Sequence, residues 1–130
     1  MGIDVSFQYE NSYLVAKIHG QYDVNSLRKA MDTINEKIVQ LGTDRILVDS
    51  LHISAPRNEF DRYLVGLAIS DLSRKGLKIA ILYKPELINR FTENTAVNRG
   101  VNLHVFGDEA EALEWLLADT PLWAITSNKI

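Results

Sequence analysis

The chain has 130 residues and a formal net charge of −3, and hydrophobic residues make up 46% of it. Such a chain is one globular domain that can bury a core without a metal or a disulfide. It has no cysteine and no basic run, which argues against disulfides, cysteine–zinc sites and nucleic acid as a main partner. A signal-peptide pattern and a membrane-length apolar run are also missing, so we expect a cytoplasmic protein without a membrane span.

The first third of the chain predicts a hairpin followed by a helix. Residues 3–9 and 13–18 alternate between apolar and polar side chains around a short polar turn, which is typical of an antiparallel hairpin. Asp23 or Asn25 can cap the following helix, and Gly42 can end it in a left-handed turn. The helix itself is predicted by apolar residues at spacings of three and four, namely Leu27, Ala30, Met31, Ile34, Ile38 and Leu41.

Two continuous apolar runs, residues 45–49 and 77–83, predict buried parallel strands. A loop over residues 50–57 is expected after the first run. Asn58 can cap a second helix, and a third should start near Pro85 and end at Gly100. The residues expected to face inward on the second helix are Phe60, Leu64, Leu67, Ala68 and Leu72.

The last predicted strand, residues 101–106, alternates and should lie nearer an edge of the sheet. Asp108 with Glu111 resembles a capping box at the start of the last helix. The order β-β-α-β-α-β-α-β-α predicts an α/β single-domain sandwich with a mixed, mostly parallel five-stranded sheet. We expect residues 1–119 to form the domain and residues 120–130 to form a tail.

Residues 78–116, KIAILYKPELINRFTENTAVNRGVNLHVFGDEAEALEWL, resemble the C-terminal half of STAS-type domains. The family pattern is an apolar strand, a short helix, a strand ending in Phe or Tyr, an acidic cap and a helix with Glu-Ala-Leu. Here Phe106 ends the strand, Asp108 is the acidic cap, and residues 111–113 are Glu-Ala-Leu. The topology fits over nearly the whole chain, and the chain is similar to small stand-alone SpoIIAA-like bacterial proteins.

This resemblance implies a non-enzymatic switch or binding domain. We expect no cofactor, and either a protein partner or a homodimer. The best-known members are anti-sigma-factor antagonists, which are controlled by phosphorylation of a serine where the helix after the third strand begins. The matching segment here, residues 54–59, reads SAPRNE and has no serine followed by glycine. We therefore expect the phosphoswitch to be absent, with Ser54 as the only nearby substitute.

In open α/β sheets, ligands bind beyond the carboxyl ends of the parallel strands. In this chain, the residues predicted to follow those strand ends form a rim. The rim could hold a small anionic or apolar ligand, as in lipid-transfer modules, or it could be an ordinary solvated loop surface. The residues are Asp49, Ser50, His52, Ser54, Arg57, Tyr83 and Lys84. The same residue types could build a hydrolase triad, but no Gly-x-Ser-x-Gly elbow is present. No ligand-spaced histidine pair or glycine-rich loop predicts a metal or phosphate site.

Two further places have alternative interpretations. If the leucines of the last helix face inward with Ala110, Trp115 lies on the opposite side, where it would form an interface or be covered by the tail through Leu122 and Trp123. Asn94 and Asn98 fall on one helical face, which either meets a ligand or is only a helix exit bonded to local backbone.

Overall fold

A mixed five-stranded sheet forms the centre of the protein. The computed structural model describes residues 2–54, 58–70, 77–87 and 102–118. The strands are β1 (Ile3–Tyr9), β2 (Leu14–Gly20), β3 (Arg45–Ile53), β4 (Lys78–Leu82) and β5 (Asn102–Phe106). They lie in the order β1-β2-β3-β4-β5. The β1–β2 pair is antiparallel and the other three pairs are parallel, as the alternating and continuous apolar patterns predicted.

Three α-helices are described: α1 (Val24–Leu41), α2 (Glu59–Ser70) and α3 (Glu109–Leu116). A 3-10 turn, Pro85–Leu87, follows β4. The rest of the predicted third helix, with Asn94 and Asn98, lies outside the described residues, as does the tail.

The predicted helix ends are confirmed at α1. The Asp23 carboxylate accepts a hydrogen bond from the Ser26 backbone N–H at 3.1 Å. Gly42 adopts a left-handed conformation with φ of 67°, and its N–H donates to the Ile38 carbonyl at 2.9 Å. Both contacts satisfy backbone groups that the helix leaves unpaired at its ends.

The starts of α2 and α3 are confirmed in the same way. Asn58 Oδ1 accepts from the Asp61 N–H at 2.9 Å, and Asp108 Oδ2 accepts from the Glu111 N–H at 3.0 Å. An acceptor three residues before the bonded N–H is the usual geometry of a helix N-cap.

The sheet carries an apolar cluster on each face. The α1 and α2 helices cover one face, and its buried members include Ala16, Ile34, Ile38, Ile46, Ile79 and Leu103. The α3 helix covers part of the other face, and the buried members there are Val15, Leu47, Ala80, Leu82, Ala112 and Leu116. Because β3 and β4 contribute to both clusters, their uninterrupted apolar sequence is explained by burial on two sides.

One predicted boundary is wrong. The loop expected at residues 50–57 does not begin at Ser50, because β3 continues to Ile53. Its pairing with β4 ends at Asp49, but its pairing with β2 runs on to the Ile53–Gly20 pair. A register shift after the Lys17–Asp49 pair adds one residue to β3. Such a bulge interrupts the alternation of side chains, so the sequence pattern did not reveal the longer strand.

Candidate functional site

The end of β3 and the start of α2 are fixed to the loop between β2 and α1. The Ser54 N–H donates to the Gly20 carbonyl at 3.1 Å, and Ser54 Oγ accepts from the Tyr22 N–H at 2.6 Å. The Tyr22 hydroxyl in turn donates to the Asp61 carbonyl at 3.3 Å. The last of these bonds connects the first turn of α2 to that loop.

The orientation of α2 differs from the predicted one. Asp61 and Ala68 are only 5% and 2% exposed, and Val65 packs on the core beside them. Phe60, which we predicted to face inward, is 66% exposed. The sequence pattern could not decide, because α2 has apolar residues at two sets of helical spacings. Val65 and Ala68 face the core, so the inward prediction is confirmed for Ala68 and wrong for Phe60, while Leu72 lies outside the described residues.

The second set forms an outward surface, which we call the α2 stripe. Its members Phe60, Tyr63, Leu64 and Leu67 follow the i, i+3, i+4, i+7 spacing of one helix face. Tyr63 is 41% exposed, and the two leucines are half-buried. Exposed aromatic side chains on a fixed element are typical of protein interfaces, where their burial releases water from a large apolar area.

The predicted rim is placed differently from our expectation. Asp49, Ser50 and His52 lie within β3, not beyond its end. Ser50 is buried, and the Asp49 carboxylate accepts from the Leu51 N–H at 3.1 Å. Of the described rim residues in this part of the chain, Ser54 alone follows the strand. These contacts give Asp49 and Ser54 roles in the local backbone.

The β4 part of the rim also serves the sheet. Tyr83 is half-buried against the core, and its N–H donates to the Phe106 carbonyl at 2.9 Å. Lys84 follows it and is half-buried. Arg57 lies outside the described residues, so its place in a rim stays a prediction.

Strand register creates a polar face that the sequence did not reveal. Asp4, His19 and His52 are successive partners across β1, β2 and β3. Ser6, Lys17 and Asp49 form the next row, and register partners point to the same side of a sheet. Every side chain except that of Asp49 is exposed. No linear spacing could signal these rows, because each member comes from a different strand.

The hydrolase arrangement is not formed by the described residues. No hydrogen bond joins His52 to a serine oxygen in that part of the chain, and the Ser54 hydroxyl accepts from Tyr22 instead. Over the same residues, no three His, Cys, Asp or Glu side chains are grouped as metal ligands would be.

Trp115 packs on the sheet. Its ring centroid lies 4.8 Å from that of His104 and 5.7 Å from that of Phe106. Lys78 Nζ lies 4.4 Å from the indole centroid, which is close enough for a cation–π interaction. The indole is therefore half-buried and not on the outer side of the helix.

The prediction for Trp115 failed because α3 is rotated from the expected orientation. Leu116 is buried as predicted, but Ala112 is buried as well, whereas Ala110, which we expected to face inward, is exposed. This rotation moves Trp115 to the flank of the helix that meets β5. Leu122 and Trp123 lie outside the described residues, so an interface through these residues stays a prediction.

No family model matches the sequence, and a search of curated proteins finds no significant relative. Solved structures do match. One is an uncharacterized protein of the DUF3478 family with a SpoIIAA-like fold from Shewanella loihica PV-4, with a TM-score of 0.54 and 20% identity over 88% of this chain and 94% of that one. The fold is SpoIIAA-like. An anti-sigma factor antagonist from Mycobacterium paratuberculosis has a TM-score of 0.60 and 11% identity, with the same coverage of both chains.

These matches confirm the α/β fold that the sequence predicted and the resemblance to STAS-type domains. Among the described helices, none has the length and apolar character needed to cross a membrane.

Proposed function

We propose that this chain is a regulatory protein-interaction domain that binds its partner through the α2 stripe and carries out no chemistry of its own. The observation that carries the proposal is the exposure of Phe60, at 66%, on a helix whose first turn is fixed by hydrogen bonds. A fixed helix loses little conformational freedom on binding, so apolar burial is converted efficiently into affinity.

The fold supports the same function. The similar Mycobacterium paratuberculosis protein is named an anti-sigma factor antagonist, and an antagonist acts on another protein. The Ser54 hydroxyl in this chain already accepts a hydrogen bond from the Tyr22 N–H in the loop before α1. We therefore propose constitutive binding without a phosphoserine switch, in the cytoplasm.

The test compares capture of partners from a lysate of the source organism by three forms of the protein. These are the wild type, the Phe60→Ser/Tyr63→Ser variant, and a Val39→Ser control. Val39 is a matched control because it is 63% exposed on α1, outside the α2 stripe. Since all three side chains are exposed, we expect stability changes within about 0.5 kcal/mol for each substitution.

A protein captured by the wild type is then purified and its affinity measured by calorimetry. We expect the stripe variant to weaken binding by at least about tenfold, because aromatic residues dominate interface energies. The Val39→Ser control should bind like the wild type. Equal affinity of the stripe variant and the wild type would remove α2 as the binding site.

The polar rows on the sheet support a second candidate, the binding of a small anion. Lys17, His19 and His52 are exposed neighbours on one face, and their N–H groups can donate to an anion, although the carboxylates of Asp4 and Asp49 lie in the same rows. Inorganic phosphate is a suitable first probe. Its addition should shift the backbone NMR signals of β2 and β3 in the wild type and not in a Lys17→Ala variant; unchanged wild-type signals at millimolar phosphate would exclude this candidate.

A further inference from the structure

The β1 strand is one edge of the sheet, with β2 as its neighbour on one side. It is seven residues long, and all of them pair with β2 without a register shift. Its sequence, IDVSFQY, has no proline and one charged side chain. Proteins usually block such a long, regular edge with prolines, bulges or charges, unless the edge pairs with another chain.

Backbone hydrogen bonds show which groups of β1 point outward. At the two ends of the β1–β2 pair, the Glu10 N–H donates to the Tyr13 carbonyl at 3.1 Å and the Gln21 N–H donates to the Gly2 carbonyl at 3.2 Å. In an antiparallel pair, alternate residues bond to the neighbouring strand. The backbone N–H and C=O groups of the even-numbered residues therefore point towards β2. Those of Ile3, Val5, Phe7 and Tyr9 point in the opposite direction, away from β2. Among the described residues, no strand lies beyond them.

This edge is complementary to itself. When a second copy runs antiparallel with Ser6 opposite Ser6, Val5 meets Phe7 and Ile3 meets Tyr9. All four of these residues present outward backbone groups, so each such pair can exchange two hydrogen bonds. On the other face Asp4 meets Gln8, so no like charges are opposed.

Other registers fit less well. A shift that centres the pairing on Phe7 places Asp4 opposite Glu10, which opposes two carboxylates. A shift centred on Val5 leaves Tyr9 without an opposite strand residue and places Gly2 opposite Gln8. Only the register centred on Ser6 uses the whole seven-residue strand in both copies.

We infer that two copies of this chain pair antiparallel through β1, with Ser6 on the two-fold axis, and form one continuous sheet. The apolar pairs then lie on the side covered by α1, where Lys37 Nζ is already 5.5 Å from the Phe7 ring centroid. The partner is a second copy because the edge matches its own sequence in side chains and in backbone groups. This interface is separate from the α2 stripe and does not depend on the proposed function.

Disulfide trapping tests the pairing, because the chain has no cysteine of its own. Ser6 is exposed, so Ser6→Cys adds one thiol without disturbing the core. In the proposed dimer the two Cα atoms are about 4.5 Å apart, within the range of about 4.4–6.8 Å that a disulfide spans. Gln8→Cys is the matched control, since Gln8 is exposed on the same face but its two copies are separated by about 14 Å.

We expect native mass spectrometry to show a wild-type dimer. Under mild oxidation, Ser6→Cys should form a covalent dimer and Gln8→Cys should not. The double variant Asp4→Cys/Gln8→Cys should also be trapped, because these two positions are opposite each other.

A wild-type monomer at about 100 µM would overturn the proposal, since this concentration lies far above the dissociation constants of stable dimers. A dimer in which Ser6→Cys is not trapped would place the interface elsewhere, for instance at Trp115. Equal trapping of both single variants would indicate random collision or another register and would also overturn it.

Discussion

Arg45 and Lys78 are register partners at the starts of β3 and β4, and both side chains donate to the end of α3. Arg45 donates to the Leu116 carbonyl, and Lys78 Nζ donates to the Trp115 carbonyl at 2.5 Å. The last turn of α3 has no basic residue of its own. The sheet therefore supplies the two positive charges that the negative end of the helix dipole favours.

Lys78→Met should lower the free energy of unfolding by about 1.5–3 kcal/mol, because it removes a charge-assisted hydrogen bond and a cation–π contact from a site where the side chain is 6% exposed. Urea denaturation measures the change. Lys17→Met, at an exposed position of β2, is the control and should stay within about 0.5 kcal/mol of the wild type. Equal stabilities for the two variants would show that the bond to α3 contributes nothing.

Trp115→Ala should destabilise the protein by about 2 kcal/mol, less than the ~3–5 kcal/mol of a fully buried aromatic residue, because the indole is half-buried. The lost contacts are those with His104 and Phe106. The exposed neighbour Glu114→Ala is the control, measured by the same denaturation. A loss below about 0.5 kcal/mol would instead place Trp115 on the outer side of α3.

Gly20→Ala should cost more stability than Gly42→Ala. Both glycines have positive φ, but a Cβ on Gly20 would lie 2.0 Å from the Gly2 carbonyl oxygen, whereas nothing lies within 4 Å of one on Gly42. Gly42→Ala should therefore cost about 1–2 kcal/mol, from the left-handed conformation alone. Thermal unfolding of the two variants measures the difference. The same loss in both would mean that Gly2 moves away from Gly20 without cost.

Tyr13 should make the protein less stable in alkali. Burial raises the pKa of the Tyr13 hydroxyl above its usual 10.0, and the carboxylates of Glu10 and Glu109 raise it further. The unfolded chain then releases this proton at lower pH than the folded protein does, so stability falls as pH rises from about 10 through the folded pKa.

Tyr13→Phe has no such proton, so its stability should fall less than that of the wild type between pH 8 and pH 11. Urea denaturation at both pH values gives the loss of unfolding free energy for each protein. The difference between the two losses cancels the titration of the groups that both proteins share. Parallel losses in the two proteins would show that Tyr13 does not contribute.

The sequence predicted most of the fold because local signals were unambiguous there. Asp23, Asn58 and Asp108 cap the helices as expected, and Gly42 ends α1. These signals depend on a few neighbouring residues and elementary backbone chemistry. The continuous apolar runs likewise predicted strands that are buried on both faces.

The candidate sites were harder to predict, because they depend on rotation and register. Phe60 was misplaced since α2 has two apolar spacings, and its orientation depends on contacts with other elements, such as the Tyr22–Asp61 hydrogen bond. His19 and His52 are neighbours only because a bulge shifts β3 by one residue. Neither relationship is encoded in the spacing along one segment.

The dependence of α3 on the sheet has a consequence for the order of events during synthesis. A helix of eight residues is too short to persist alone in water, and its end is stabilised by Arg45 and Lys78 from strands made earlier. Until α3 has been made, Val15, Leu47 and Leu82 lack the helix that packs on them. The emerging chain therefore presents an apolar sheet face that a chaperone can recognise, and docking of α3 ends that period.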